Sequence, residues 1–246
     1  MKITGKTHIG LIRESNQDAF EFGYFDDANS WAIVCDGMGG VSGGQVASSI
    51  CIEKVSEALK RGYRKRMTVN SAKNLLASAI SAANSAVFKE SQEKYDLKGM
   101  GTTIVAVIVL GGVAVIAHVG DSRAYILEEE NISSVTKDHS YVQLLIDTGK
   151  ITEDEAKIHP DRNIITRAVG IEYTVDVEFD IIDIKENQKL LLCTDGLNGY
   201  VEDADILKIV NKYGDSSAEK LVEAANDTGG HDNVTVVVMN PDIQGE

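Results

Sequence analysis

Trp31-Ala32-Ile33-Val34-Cys35-Asp36-Gly37-Met38-Gly39-Gly40 is the stretch whose reading decides the fold. Its first five residues are apolar and read as a buried strand, which runs directly into an aspartate and a glycine-rich turn. A carboxylate at the end of a buried strand is held rigidly, and the glycines let other groups approach the backbone closely. The pattern recurs at Leu190-Leu191-Leu192-Cys193-Thr194-Asp195-Gly196. Gly229-Gly230-His231-Asp232-Asn233 reverses it, with Asp232 just ahead of the apolar run Val234 to Met239. Near the N-terminus, Asn16-Gln17-Asp18 precedes a strand-like run, Ala19 to Tyr24. Any one of these sites alone reads more readily as a common turn, Asp-Gly being a frequent turn pair. Four of them, each abutting an apolar strand, read as a scaffold that gathers aspartates around hard cations. Carboxylate and carbonyl oxygens suit Mg²⁺ and Mn²⁺, whereas zinc would call for paired His and Cys ligands that the clusters lack.

Composition bounds the rest. With 246 residues, of which 43% are hydrophobic, the chain is long enough to bury a substantial core. A net charge of −14 argues against nucleic acid or an anionic membrane as a partner. Cys35, Cys51 and Cys193 are odd in number and have no ligand-like spacing, so a reducing cytoplasm is the expected setting and buried, structural thiols the expected state. The N-terminus lacks a signal-peptide core. The longest apolar run, Ile104 to Ala117, is broken at Gly111-Gly112 and reads as a hairpin rather than a membrane helix.

Working outward, strands are expected at Lys2 to Ile9, Ala19 to Tyr24 and Trp31 to Cys35. Helical spacing follows at Val46 to Leu59 and Ala72 to Val87. The middle is β-rich: Thr102 to Leu110, Val113 to Val119 and Arg123 to Leu127. Ser140 and Thr152 open two short capped helices in a polar, segmented region, 144–170. Alternation predicts a half-buried strand over Tyr173 to Ile181, then another at Lys189 to Cys193. Helices over Asp203 to Lys212 and Ser216 to Asp227, the latter with Ser216 and Glu219 as a capping pair, precede a last strand, Asn233 to Met239. Helix pairs alternating with runs of strands predict an α+β fold of antiparallel sheets covered by helices. The glycines after Asp36 carry no Lys-Ser or Lys-Thr of a P-loop and miss the dinucleotide spacing.

The combination of motifs resembles the bacterial PPM (PP2C-type) metal-dependent serine/threonine phosphatases. It comprises Arg13-Glu14-Ser15-Asn16-Gln17-Asp18, Asp36-Gly37-Met38-Gly39-Gly40, Gly99-Met100-Gly101-Thr102-Thr103, Gly120-Asp121-Ser122-Arg123, Asp138-His139-Ser140, Ile165-Thr166-Arg167-Ala168-Val169-Gly170, Thr194-Asp195-Gly196-Leu197 and Gly230-His231-Asp232-Asn233. The resemblance implies one catalytic domain over 1–246, two packed antiparallel sheets flanked on both sides by helix pairs, and a flap at 144–170. It implies two core Mn²⁺ or Mg²⁺ ions and a third, weaker one. Asp36 would bridge the core pair with the Gly37 carbonyl on one ion. Asp195 and Asp232 would hold the other, Asp18 would act partly through water, and Asp121 with Asp195 would form the third site. Arg13 would bind the substrate phosphate, its planar fork suiting that contact; the competing readings are a surface cation for Arg13 and a turn residue for Asp121.

Three departures stand out. Met38 occupies a position where eukaryotic members have histidine, so metal-bound water, His139 or His159 are open alternatives for a general acid. Gln17 replaces an acid, and His8 stands where aspartate is usual. Two function classes follow. One is a phosphatase of phosphoserine and phosphothreonine in proteins, opposing a bacterial kinase, expected as a cytoplasmic monomer. The other is a catalytically silent domain of the same fold that binds partners.

Overall fold

The computed structural model describes residues 1–240. The chain starts with strands β1 (Lys2–His8), β2 (Asp18–Asp26) and β3 (Asn29–Met38), then helices α1 (Gly40–Gly62) and α2 (Val69–Glu93). The β-rich middle holds β4 (Gly101–Thr102), β5 (Ile104–Leu110), β6 (Val113–Val119), β7 (Arg123–Leu127) and β8 (Ile132–Ser134). Short helices α3 (Tyr141–Asp147) and α4 (Glu153–Lys157) lead to β9 (Glu178–Asp183) and β10 (Lys189–Cys193). The one-turn α5 (Asp195–Asn198), then α6 (Asp203–Tyr213), α7 (Ser217–Asp227) and β11 (Val234–Asn240), complete it.

These strands form two antiparallel sheets, ordered β1-β11-β10-β7-β8 and β2-β3-β5-β6-β9, with β4 pairing β3. The period of two in the strands sorts their side chains into three apolar layers. Trp31, Ile33 and Cys35 of β3, with Ile104, Ala106 and Ile108 of β5, pack on α1 and α2. Ala32, Val34, Val105 and Val107 face the other way and meet Leu190, Leu192, Val237 and Met239 between the sheets. Leu191, Cys193, Val236 and Val238 turn outward onto α6 and α7. β5 is therefore apolar at every position, and β3 is apolar without a break from Trp31 to Cys35, because both of their faces are covered. The expected architecture, two packed antiparallel sheets flanked by helix pairs, is the one adopted. No helix among the described residues is long and apolar enough to cross a membrane.

Four local expectations are corrected. The strand expected from Tyr173 begins only at Glu178, where it pairs His118. Extending that ladder would require the backbone of Gly120, and both its N–H and its carbonyl are already bonded to His139. The strand expected over Thr102 to Leu110 is interrupted at Thr103. Thr103 N donates to Asp36 O (2.8 Å), but the reciprocal Asp36 N donates to the Thr103 hydroxyl (2.9 Å) instead of its carbonyl. Ser216 does not cap α7, because its φ and ψ of −91° and 3° keep it in line with the helix rather than in the extended conformation of an N-cap. β8 and α5 were not expected; α5 makes Asp195 the first residue of a helical turn rather than part of a simple turn. By contrast, Thr152 and Glu155 form the full capping box on α4.

The segment after α4 is anchored by Asn84, which sits on α2 and is 1% exposed. Its Oδ1 accepts from Gly170 N (2.7 Å), and its Nδ2 donates to the carbonyls of Glu172 (3.0 Å) and Tyr173 (3.1 Å). Asn84→Ala strands all of these backbone groups and should cost about 2–3 kcal/mol. The expected result is a melting temperature lower by roughly 5–10 °C for a chain of this size. A drop of less than about 1 °C in calorimetry would show that water replaces Asn84 at no cost.

Candidate functional site

Asp18 and Asp36 are directly opposed in register on β2 and β3, so the sheet itself brings these two carboxylates together. Around Asp36 the backbone is fully engaged. Its carbonyl accepts from Thr103 N and from the Thr102 hydroxyl (2.8 Å), and Gly37 N donates to Gln17 O (3.1 Å). Glycine is obligatory at 37, because a Cβ there would lie 2.0 Å from the Gly44 carbonyl oxygen as α1 crosses the turn.

The other half of the cluster comes from the second sheet. Thr194 follows β10, and its hydroxyl donates to Asp18 Oδ2 (2.9 Å) while accepting from Thr235 N (3.0 Å). Asp195 follows at the start of α5, close enough to hydrogen-bond Asp36. Asn233 stitches the N-terminal loop to β11: Nδ2 donates to Ile9 O (2.8 Å) and Ser15 O (3.0 Å), and Oδ1 accepts from Gln17 N (2.8 Å). That loop delivers Arg13, whose Nη2 donates to Asp232 Oδ2 at 2.6 Å. The Arg13 side chain is 53% exposed, and its one bond to Asp232 occupies only part of its donor fork.

The electrostatics are those of crowded buried carboxylates. Burial, then Asp18, Asp195, Asp121 and Asp232, push the Asp36 carboxyl well above the ordinary aspartate value. Burial, only partly offset by bonds to Thr235 and Thr194, raises Asp18 to about 7. Burial and Asp232 raise Asp195 to about 6. Asp121, in the turn after β6, is pushed well up by burial, Asp195 and Asp138. Asp18 Oδ1 and Asp195 Oδ1 are buried with no hydrogen-bond partner. Orphaned carboxylate oxygens that repel one another are matched chemically by a hard cation, which supplies the missing partner and cancels the repulsion. The donor set thus fits Mn²⁺ or Mg²⁺.

Residues 4–234 match the family model for protein phosphatase 2C. The chain belongs to the protein phosphatase 2C family. It is 36% identical over 242 residues to the serine/threonine phosphatase stp of Listeria monocytogenes, covering 97% of this chain and 95% of that protein. Among solved structures, it is similar to the serine/threonine phosphatase Stp1 from Staphylococcus aureus, with a TM-score of 0.91 and 35% identity, covering 99% of this chain and 95% of that one. It is similar also to the catalytic domain of the serine threonine protein phosphatase PstP in complex with two manganese ions, with a TM-score of 0.85 and 33% identity, covering 97% of each chain.

Within this PP2C fold the three departures acquire local explanations. His8 Nδ1 accepts from Gly10 N (2.9 Å) and so shapes the entry to the Arg13 loop. Gln17 Nε2 donates to Gly40 O (3.1 Å) at the start of α1. Met38 packs near Gly101 with Ile171, an apolar contact that supplies no proton. Of the alternative acids, His139 is 7% exposed with both ring nitrogens engaged, and His159 bonds within its own turn to Asp161 N (3.1 Å). The three cysteines are free and buried, as expected. Burial and the neighbouring Cys51 push the Cys35 thiol well up, which suits a packing role.

His118, His139 and Glu178 place one potential ligand atom each within 4.8 Å of one another. Their geometry does not suit an ion. The two rings stack at 4.6 Å and 17°, so lone pairs lying in nearly parallel planes cannot converge on one point. Gly120 N donates to His139 Nδ1, which leaves Nε2 protonated, and Arg167 Nη1 stands 3.1 Å from that nitrogen.

Sequence reasoning picked out Asp18, Asp36, Asp195 and Asp232 from their strand ends. It missed the residues that hold them, Thr103, Thr194, Asn233 and Ser122. Each lies inside a motif, but its partner is distant in sequence.

Proposed function

We propose that residues 1–246 form one catalytic domain that hydrolyses phosphoserine and phosphothreonine in proteins. It would act as a cytoplasmic monomer opposing a serine/threonine kinase, with 144–170 as a flap over the site. The observation that carries the reading is the convergence of Asp18, Asp36, Asp121, Asp195 and Asp232, with buried orphan oxygens on Asp18 and Asp195, in a chain that matches protein phosphatase 2C almost end to end. That full set speaks against a catalytically silent domain.

The residue roles follow. Asp36, the Gly37 carbonyl, Asp195 and Asp232 would hold the two core cations, with Asp18 contributing partly through water, and Asp121 with Asp195 would hold a third, weaker one. When bound, Mn²⁺ or Mg²⁺ supplies acidified water and neutralises phosphate charge. The chain's own part is positional. Thr194 holds the Asp18 carboxylate, Thr103 holds the Asp36 backbone, the buried strand ends exclude bulk solvent, and Arg13 orients the phosphate. The half-exposed Arg13–Asp232 pair is worth little, so the guanidinium exchanges that partner for phosphate at low cost.

Two experiments test this reading. Hydrolysis of a phosphothreonine peptide and of a small aryl phosphate should require Mn²⁺ or Mg²⁺ and vanish in chelator; full activity after verified metal removal would rule the mechanism out. Arg13→Ala should raise KM for phosphopeptide by roughly tenfold, with kcat falling too because the contact serves ground and transition states alike. The melting temperature should shift by less than about 2 °C, since only an exposed ion pair is lost. Unchanged KM with collapsed Mn²⁺ affinity would assign Arg13 to the metal shell instead.

A further inference from the structure

Gly120, the residue before Asp121, has both of its backbone groups taken by one residue, His139, through its ring and its main chain. His139 N donates to Gly120 O (2.9 Å), and Gly120 N donates to His139 Nδ1 (3.0 Å). Gly120 has φ +104°, and a Cβ there would lie 2.6 Å from the Thr103 methyl, so no other residue fits this turn. His139 also marks the base of the two short helices. Its carbonyl accepts from Thr166 N (2.8 Å), and the next residues continue the closure through Tyr141 N to Ile164 O (2.8 Å) and the Ser140–Ile165 bridge. One residue therefore meets both ends of the 140–166 segment and the turn that carries Asp121.

The ring is fixed in one state. A buried backbone N–H can only donate, so Nδ1 holds a lone pair and Nε2 holds the proton. Nε2–H faces Glu178 Oε1 at 3.3 Å. Arg167 Nη1, 3.1 Å from Nε2, directs its hydrogens to Asp176 O (3.2 Å) and Glu178 Oε1 (3.4 Å), because the neutral ring cannot accept at both nitrogens. His118 stacks on the His139 ring and hydrogen-bonds Lys137 O through Nε2 (2.9 Å). Asp138 is clamped by both arms of Arg123 at 2.7 Å, so residues 137–139 are held from three sides. Burial first, then His118 and Arg167, bring the His139 pKa down to about 4, so the ring stays neutral in the working range.

On the other side of Asp121, the Ser122 hydroxyl bonds the Thr103 hydroxyl (2.7 Å), and that hydroxyl accepts from Asp36 N. The turn is thus gripped at 120 by His139 and at 122 by Thr103. We propose that His139 is a positioning residue whose Nδ1 fixes the Gly120–Asp121 turn against both ends of the 140–166 segment, so that the seating of that segment sets the aim of the Asp121 carboxylate toward the metal centre. The proposal rests on the reading of Asp121 as a metal-site residue of a phosphatase.

The test uses the full chain with His139→Asn, His139→Gln and His139→Ala. Asparagine places an acceptor where Nδ1 sits, glutamine places one where Nε2 sits, and alanine places none. Hydrogen exchange in metal-free protein should show the Gly120 amide exchanging at least tenfold faster in the Ala and Gln variants and near the wild-type rate in Asn. With Mn²⁺, the Ala and Gln variants should need roughly tenfold more metal for half-maximal phosphopeptide turnover, and Asn should return to within about threefold of wild type. If alanine prevents folding, the Asn and Gln pair decides the matter. The proposal is overturned if Asn behaves like Gln in either readout, or if Gly120 exchange accelerates with no change in metal dependence. A wild-type protein inactive on every phosphate ester in Mn²⁺ would overturn the phosphatase reading itself. That outcome is distinguishable, because it appears before any variant is made.

Discussion

Asp36→Asn should abolish turnover while leaving the fold intact. The substitution keeps the shape and removes the charge that would bridge two cations. Each backbone bond at this position is made by main-chain atoms, to Thr103 and Thr102, and survives the change. A loss of roughly 10³-fold or more in kcat is expected, the scale seen when preorganised electrostatic groups are removed from a reacting centre. A second effect runs opposite in sign. In the wild-type protein without metal, Asp36 is penalised by burial and then by Asp18, Asp195, Asp121 and Asp232. An asparagine side chain carries no charge to repel them, so the metal-free variant should melt above the metal-free wild type at pH 8. Kinetics on an aryl phosphate at saturating Mn²⁺, with calorimetric melting in chelator, measures both. A near-normal rate would show that Asp36 is not the bridge.

The metal-free protein should also become more stable as the pH is lowered from 8 to about 5.5, the reverse of ordinary acid denaturation. Asp18 titrates at about 7 and Asp195 at about 6 in the folded chain, against 3.8 for an ordinary aspartate. Both are raised acids, so the folded state binds protons more tightly than the unfolded state does. The stabilisation is complete below about pH 4, where both states are protonated, and is lost as the pH rises through 6 and 7. Recovery on going to pH 5.5 should be about 2–4 kcal/mol, or roughly 5–10 °C. Mn²⁺ at pH 8 should close the gap, because a bound cation relieves the same repulsion that protonation relieves. Net charge alone would also favour lower pH, so the control is Asp36→Asn, in which the pH 5.5 advantage should shrink. A metal-free wild type equally stable at both pH values would show that these carboxylates do not repel one another in the folded state.

The strand-end aspartates were legible because their signal is local. A continuous apolar run, broken by Asp-Gly, states both the burial of the strand and the point where it ends. The helix pairs were legible for the same reason, since their apolar spacing repeats every turn. Errors fell where a bond or turn outside the pattern overrode the local preference. Tyr173 to Val177 alternates like a strand, yet the ladder cannot run on past β6, because His139 has taken both backbone groups of Gly120. Ser216 and Glu219 read as a capping pair, yet a preceding 3-10 turn fixes Ser216 in a conformation that cannot cap.

By itself the sequence determined the layered α+β architecture, the aspartates at the strand ends and the choice of a hard cation over zinc. Periodicity and ligand chemistry are properties of neighbouring residues, and they can be read without knowing where the chain goes. Tertiary structure alone decided how those aspartates are aimed. The Thr194 hydroxyl reaches Asp18 across 176 residues of sequence, Asn233 joins the Arg13 loop from more than 210 residues away, and the Thr103 hydroxyl replaces a rung of the β3 ladder to hold Asp36. A hydrogen bond between residues so far apart leaves no periodic trace in either segment. Its partners become visible only when packing of the two sheets brings them within 3 Å.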